Sequence, residues 1–177
     1  MLIPSGFLYE VIKHMKGENS FSLSFSPEER LVLFKIGGDL FYTRLVDGEF
    51  PPFEKVIPAE KKTTARVDRQ EFITKLKLIS VFARDASNIV VCCFSKQGLV
   101  IRPKTEGGGE NLSQLETVHE GEDQEVAFNL RFILDFLNAT QEKKIEIEIL
   151  RPDAPVVFRI KGRKDFIHII MPVRMQE

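Results

Sequence analysis

Asp68-Arg-Gln-Glu-Phe-Ile-Thr-Lys-Leu-Lys-Leu-Ile-Ser-Val-Phe-Ala-Arg84, followed closely by Ile89-Val-Val-Cys-Cys-Phe94, decides the fold. Phe72, Ile73, Leu76, Ile79 and Ala83 recur at helical spacing and predict one buried stripe on an amphipathic helix. Asp68 occupies the cap position, and Glu71 three residues later completes a capping box. The pattern then changes to short apolar runs, Ile89–Phe94 and Leu99–Arg102, joined by the turn Ser95-Lys-Gln-Gly98. A third strand is expected within Asn111–His119, after Gly107-Gly-Gly109. A helix followed by antiparallel strands is an α+β unit.

The same order recurs on both sides. Upstream, Pro4-Ser5 opens a helix carrying Phe7, Leu8, Val11, Ile12 and Met15 on one face, with Glu10, Lys13, His14 and Lys16 opposite and Gly17 as the stop. Phe21-Ser-Leu-Ser-Phe25 alternates with period two, and Leu31–Ile36 and Leu40–Leu45 flank the hairpin signal Gly37-Gly38-Asp39. Downstream, Asn129 caps a helix bearing Phe132, Ile133, Phe136 and Leu137, and strands follow at Lys144–Leu150, Val156–Ile160 and Phe166–Met171. Ile145, Ile147 and Ile149 alternate with Lys144, Glu146 and Glu148, the signature of a sheet with one face in water. The three units begin near Ser5, Asp68 and Asn129, about 60 residues apart, which marks an internal repeat. Three is an odd number. If two units close one domain, the chain holds one complete domain and half of another. The proline clusters Phe50-Pro-Pro-Phe53 and Pro58-Ala-Glu-Lys-Lys62 place the boundary, giving expected segments 1–57 and 58–177.

Composition excludes several classes. With 177 residues, 43% hydrophobic and 29% charged, the chain can bury a sizeable core in one or two domains. No apolar run approaches the roughly 18 to 20 residues of a membrane helix, and Met1-Leu-Ile-Pro-Ser-Gly6 lacks the features of a signal peptide, so a cytoplasmic protein without membrane association is expected. Cys92 and Cys93 are neighbours on a strand and point to opposite faces, which predicts packed thiols. Gly107-Gly-Gly109 continues into Glu110 and Asn111, unlike a phosphate loop. His14, His119 and His168 are scattered over three elements, and no metal or other cofactor is expected. The pair Arg84-Asp85 and Asp135 are candidate acids but read as solvated charges, so no enzyme is expected. The net charge of -1 argues against indiscriminate coating of nucleic acid. The second helix nevertheless carries Arg69, Lys75, Lys77 and Arg84 against Glu71, and the first carries Lys13 and Lys16 against Glu10. Such a surface suits phosphates read without sequence preference, or is simply a solvated helix face.

Three segments add what periodicity does not. Leu45-Val-Asp-Gly-Glu-Phe-Pro51, Phe128-Asn-Leu-Arg-Phe-Ile-Leu-Asp-Phe-Leu137 and Ile169-Ile-Met-Pro-Val-Arg-Met175, in that order, resemble the bacterial DNA polymerase III beta subunit, the replication sliding clamp. The resemblance runs over essentially the whole chain. It implies the DNA clamp fold, with helices on one face of the repeated units and antiparallel sheets on the other. Family members have three domains of two units each, and two subunits form a ring around duplex DNA. By this resemblance residues 1–57 match the second half of the middle domain and 58–177 the complete last domain.

The implied function is that of a processivity factor, a non-catalytic holoenzyme subunit that tethers the replicative DNA polymerase. Its implied partners are duplex DNA without sequence preference, the polymerase, the clamp loader and other clamp-binding-motif proteins. The positions that match the family's partner-peptide pocket are Pro51, Lys55, Val56, Asn129, Phe132, Pro155, Val157, Ile169, Met171, Pro172, Val173, Arg174 and Met175. Lys13, Arg69, Lys75 and Lys77 are the expected DNA-facing residues, and Val81 and Phe82, with the strand in Asn111–His119, the expected subunit interface. Gln176 and Glu177 continue past the usual terminus, near the pocket mouth. The family's first domain and the front half of its middle domain have no counterpart here. A homo-oligomer in which two copies join through residues 1–57 is therefore expected. The alternative is a ring-incompetent peptide-binding module that competes for clamp partners.

Overall fold

The structure is a computed structural model that describes all residues except 18–19, 85–86, 105–110, 161, 164 and 176–177. Asp85, Gly107-Gly-Gly109, Glu110, Gln176 and Glu177, which the sequence reading singled out, lie outside the described residues. The chain divides into two compact units, Met1–Pro52 and Phe53–Glu177.

In the first unit, α1 (Ser5–His14) packs on an antiparallel sheet of order β1-β2-β3, formed by Phe21–Ser26, Leu31–Ile36 and Asp39–Arg44. Pro4 is the cap of α1 and makes no side-chain capping bond; the Leu8 N–H closes the first turn on the Pro4 carbonyl at 3.3 Å. Pairing of Ile36 with Asp39 leaves Gly37-Gly38 as a two-residue turn, with Gly37 at φ +56°, as the hairpin signal predicts. Val11, Val32, Phe34 and Ile36 form the core, and the rings of Phe7 and Phe21 each lie 5.8 Å from that of Phe34. Phe21, Leu23 and Phe25 pair with Ile36, Phe34 and Val32 and so share the inward face, yet they remain 47%, 44% and 46% exposed.

The second unit begins with a 3-10 turn at Phe53–Val56 and contains β4 (Thr63–Asp68), α2 (Arg69–Ala83), β5 (Ile89–Ser95), β6 (Gly98–Pro103), β7 (Ser113–Leu115) and β8 (Val118–Gly121). A second run follows: β9 (Gln124–Asn129), α3 (Leu130–Ala139), β10 (Lys144–Ile149), β11 (Val156–Ile160) and β12 (His168–Ile170). Both helices start as their caps dictate. Asp68 accepts from the backbone N–H of Gln70 and Glu71 at 3.0 Å each, and Asn129 accepts from that of Arg131 at 3.0 Å.

The sheets are β12-β11-β10-β4-β8 and β7-β6-β5-β9, antiparallel throughout. Each leading strand is exchanged. β4 precedes α2 but joins the sheet that follows α3, whereas β9 precedes α3 but joins the sheet that follows α2. The sequence reading placed strands only after the helices and did not resolve β4 or β9, because each is short, ends in its helix cap and finds its partner far along the chain. The single strand expected within Asn111–His119 is two strands, β7 and β8, in different sheets. The exchange gives one core, in which Phe72, Leu76, Ile79, Ile133, Phe136 and Leu137 of the helices meet Val90, Cys92, Phe94, Ile145, Ile147 and Ile149 of the sheets. Burying side chains of this size contributes on the order of 1.5 to 3 kcal/mol each, so the strands hold because the core they close is large.

The two cysteines take opposite faces. Cys92 is buried and free, and burial, helped by Cys93, pushes its thiol far up. Cys93, half-buried, is raised to about 11 by burial and by the Glu125 carboxylate, to which its thiol donates at 3.3 Å.

Charged residues ladder the outer face of the larger sheet. Arg66 pairs with Glu120 at 2.8 Å and with Glu146 at 2.6 Å, and Glu148 sits between Lys61 and Arg159, the latter at 2.8 Å. Burial would raise the Glu148 carboxyl, but the hydrogen bonds from Lys61 and Arg159 outweigh it and hold the group below the usual carboxylate range. Its contribution to stability is thus complete above the unfolded value of 4.5 and disappears as pH falls through the lower folded value. Glu148→Gln should make the urea midpoint less sensitive to acidification below that pH than it is in the parent protein.

Gly121 turns the chain at the end of β8 with φ +104°, where a Cβ would lie 1.9 Å from the Lys62 carbonyl oxygen. Gly121→Ala should lower the unfolding free energy by about 1 to 3 kcal/mol, measured by urea titration, through loss of the β4–β8 pairing.

Candidate functional site

Helical spacing places Ile133, Phe136 and Leu137 of α3 in the core and leaves Phe132 and Asp135 on the outward side. β12 is the edge strand of its sheet and pairs with β11 through Val156–Ile170, Val157–Ile169 and Phe158–His168. Between α3 and this edge lies a cleft of about 380 Å³, lined by Phe132, Asp135, His168, Ile169, Ile170 and Met171. Phe132, on α3, is 54% exposed and Met171, just past β12, is 56% exposed, a large apolar surface for two neighbouring positions. His168 forms the polar end. Its ring stacks on Phe136 at 5.0 Å and meets Phe158 edge-on at 6.5 Å. Burial lowers the imidazole below its ordinary value, and the charge of Asp135 opposes that shift. The cleft can hold an apolar side chain with a polar group beside it.

Beyond β12 the chain leaves its own sheet, and the Val173 N–H donates to the Ala127 carbonyl of β9 at 2.8 Å. A second cleft, of about 390 Å³, opens between Glu125, Ala127, the turn at Pro152–Asp153 and the segment Val173–Met175. Val157 lies in a third, of about 190 Å³, with Pro58 and the Lys61–Glu148–Arg159 cluster. A cleft of about 430 Å³ elsewhere, between Asp68, Glu71, Thr117 and Glu146, includes none of the pocket positions expected from sequence, and Asp68 and Glu146 are already engaged in the α2 cap and the Arg66 pair.

The expected residues thus fall into groups. Phe132, Ile169 and Met171 share one cleft, and Val173, Arg174 and Met175 share the next. Pro172, half-buried, links them, and Pro155, also half-buried, precedes β11. The Asn129 side chain is committed to capping α3. Lys55 and Val56 belong to the 3-10 turn that opens the second unit and are exposed, whereas Pro51 lies in the first unit. Asp135 and His168 were not placed in the pocket by sequence. The i, i+3 spacing from Phe132 carried the first, but no local pattern sets His168 against α3.

The basic positions also differ in their engagement. Lys13 pairs with Glu10 at 2.7 Å on α1. The Arg69 Nε donates to the Leu137 carbonyl at 2.8 Å and so closes the last turn of α3 from the start of α2. Lys75 is half-buried, and Lys77 and Arg84 are exposed. Leu78, Val81 and Phe82 form an exposed apolar strip at the end of α2. No described helix is long and apolar enough to cross a membrane.

A family model described as DNA polymerase III beta subunit, C-terminal domain, matches residues 54–174. The beta sliding clamp of Synechocystis is 27% identical, covering 98% of this chain and 45% of that protein. The Bacillus subtilis clamp is 27% identical, covering 98% and 47%. The crystal structure of the Thermotoga maritima beta subunit superposes with a TM-score of 0.84 at 27% identity, covering 96% of this chain and 46% of the other. The Bacillus subtilis clamp structure gives 0.86 at 25% identity, covering 98% and 46%. The chain spans about half the length of the curated relatives it matches.

The bond from Arg69 to the α3 terminus separates a structural cation from its neighbours. Arg69→Ala should cost about 1.5 to 3 kcal/mol in urea unfolding, as expected for a hydrogen bond from a charged donor, while Lys77→Ala should stay within about 0.5 kcal/mol.

Proposed function

We propose that this chain, which belongs to the DNA polymerase III beta subunit family, is a sliding-clamp polypeptide that holds partner proteins of replication on duplex DNA through a peptide-binding surface on its second unit. The observation that carries this reading is the cleft between α3 and β12, where exposed Phe132 and Met171 stand at positions matching the family's pocket. A thioether and an aromatic ring make an adaptable apolar surface for the anchor residues of several related peptides. Arg174, exposed on the adjoining segment, suits a polar or acidic group of the same peptide.

Residues 1–57 are read as the second half of a clamp middle domain and 58–177 as a last domain. The role is non-catalytic: a tether keeps the polymerase at high effective concentration, so that loss of one weak contact does not lose the template. On α2, Lys75 and Lys77 are the cations proposed to face phosphates, with Arg69 partly withdrawn by its bond to Leu137. Val81 and Phe82 are proposed to meet another subunit.

The first unit supports self-association. Phe21, Leu23 and Phe25 occupy the inward positions of β1 that Val90, Cys92 and Phe94 hold in β5 and Ile145, Ile147 and Ile149 in β10. In the second unit those positions are covered by the opposite helix-and-sheet half, whereas on β1 they are nearly half exposed. Another unit of the same kind fits that face.

A fluorescein-labelled peptide bearing a polymerase clamp-binding motif should raise anisotropy on titration with the protein. Phe132→Ala and Met171→Ala should each weaken it at least about tenfold, the behaviour of central anchor residues. Light scattering at micromolar concentration should give a dimer or larger species that Phe21→Ser with Leu23→Ser dissociates. A wild-type protein that does not bind the peptide sinks the peptide-binding reading, and a strict monomer sinks the self-association.

A further inference from the structure

β4 and β9 occupy equivalent places in the two halves of the second unit. Each has six residues and runs directly into a helix. The outer edge of β4 is filled by β8, with Val118 opposite Arg66, His119 opposite Ala65 and Glu120 opposite Thr64. β8 follows a strand that ends at Leu115, and the C-terminal segment follows β12, which ends at Ile170. Val118 and Val173 therefore hold the same place after their preceding strands, and Arg66 and Ala127 the same place in β4 and β9. The bond from the Val173 N–H to the Ala127 carbonyl is thus the start of a strand in the register of β8.

The pairing then stops. Continued in register, Arg174 would lie opposite Val126 and Met175 opposite Glu125. Instead the segment departs from β9 and leaves the cleft between Glu125, Ala127, Val173 and Met175. As a result one sheet has five strands and its counterpart four.

The chemistry of the next position accounts for the difference. Val126 is fully buried on the core face, so a residue opposite it on the edge strand shares that face. On β8 this residue is His119, a ring shorter than an arginine side chain and without its fixed fork of donors; the His119 side chain is 1% exposed, its ring nitrogens make no hydrogen bond among the described residues, and Asp123 lies 3.6 Å from Nε2. Arg174 is permanently charged and carries five N–H donors, and the core face beside Val126 would have to take that cation out of water.

We infer that Arg174 is a charge wedge: it prevents the C-terminal segment from zipping onto β9 as a fifth strand, and so keeps Met171–Met175 as the shared wall of both clefts. Met171 lines the cleft on α3, and Val173, Arg174 and Met175 line the one on β9, so zipping alters both at once. The effect on partner peptides rests on the function proposed above, whereas the strand itself does not.

The test is amide hydrogen exchange of the 177-residue chain, read by NMR without any peptide. Because the Ala127 carbonyl faces the segment, the N–H groups of Ala127 and Glu125 point to the same edge. In the wild type the Glu125 amide should exchange quickly. Arg174→Leu should slow it at least about tenfold by completing the strand, whereas Arg174→Lys and Arg174→Asp, which keep a charge of either sign, should leave it fast. Unchanged exchange in Arg174→Leu, or equal slowing in Arg174→Asp, overturns the wedge. In the anisotropy assay the labelled polymerase peptide should bind Arg174→Leu at least about tenfold more weakly than Arg174→Lys. Equal binding by these two, with Glu125 protected in the first, overturns the link to the clefts and leaves the wedge standing. A wild type that binds no peptide overturns that link together with the peptide-binding reading, while the exchange result still decides the wedge.

Discussion

Exchange of the leading strands is the constraint on which the second unit depends. A helix over three short strands has two apolar surfaces to hide, the underside of its helix and the inner face of its sheet, and too little material to cover both. By placing β4 beside β10 and β9 beside β5, each half lends a strand to the other, and the two helices and two sheets close on one core. The helix caps follow from the same arrangement. Asp68 and Asn129 end the exchanged strands and begin the helices, so each turn from sheet to core is fixed by one side chain that accepts backbone N–H groups. Arg69 adds a tie in the opposite direction, joining the beginning of α2 to the end of α3.

Much of this was legible in the sequence because it is local. The apolar stripe of Phe72, Ile73, Leu76, Ile79 and Ala83 is buried as its period requires, and the alternation of Ile145, Ile147 and Ile149 with Lys144, Glu146 and Glu148 separates core from solvent. The repeat of helix and strands was legible for the same reason. β4 and β9 were not, since Thr63–Asp68 and Gln124–Asn129 derive their strand character from partners about eighty and thirty-five residues away, and no window of sequence contains both sides of such a pair. β8 was missed on similar grounds. Its neighbour β7 lies two residues before it but in the other sheet, a change of sheet that periodicity does not register.

The candidate site divides along the same line. Phe132 entered through resemblance alone, since its helical spacing had grouped it with the core residues Ile133, Phe136 and Leu137, and Asp135 follows three residues later on the same outward side. Met171 and Ile169 came from a closing segment whose letters are distinctive. His168 reaches the cleft only because β12 is an edge strand beside α3, an arrangement set by three strand pairings rather than by any spacing around it. That position also shapes its acid–base character. Stacked against Phe136 and partly withdrawn from water, the imidazole is held below its ordinary value by burial, and the nearby Asp135 charge opposes that shift without cancelling it.

Edges complete the argument. The larger sheet covers the outer edge of β4 with β8, at the cost of a buried histidine side chain whose nitrogens find no hydrogen bond among the described residues. The smaller sheet leaves most of the β9 edge open and places a permanent cation where the next pair would form. The first unit leaves the inward residues of β1 nearly half exposed, with Phe21, Leu23 and Phe25 where β5 and β10 bury their apolar side chains. Strand edges and half-covered apolar faces are where polypeptides meet other polypeptides, and soluble proteins keep such places specific with charge and shape. An edge that is to receive another chain has to remain available without pairing with its own. Interrupting one of two equivalent strands with an arginine meets that need, because the same residue that prevents closure presents a guanidinium to whatever chain arrives.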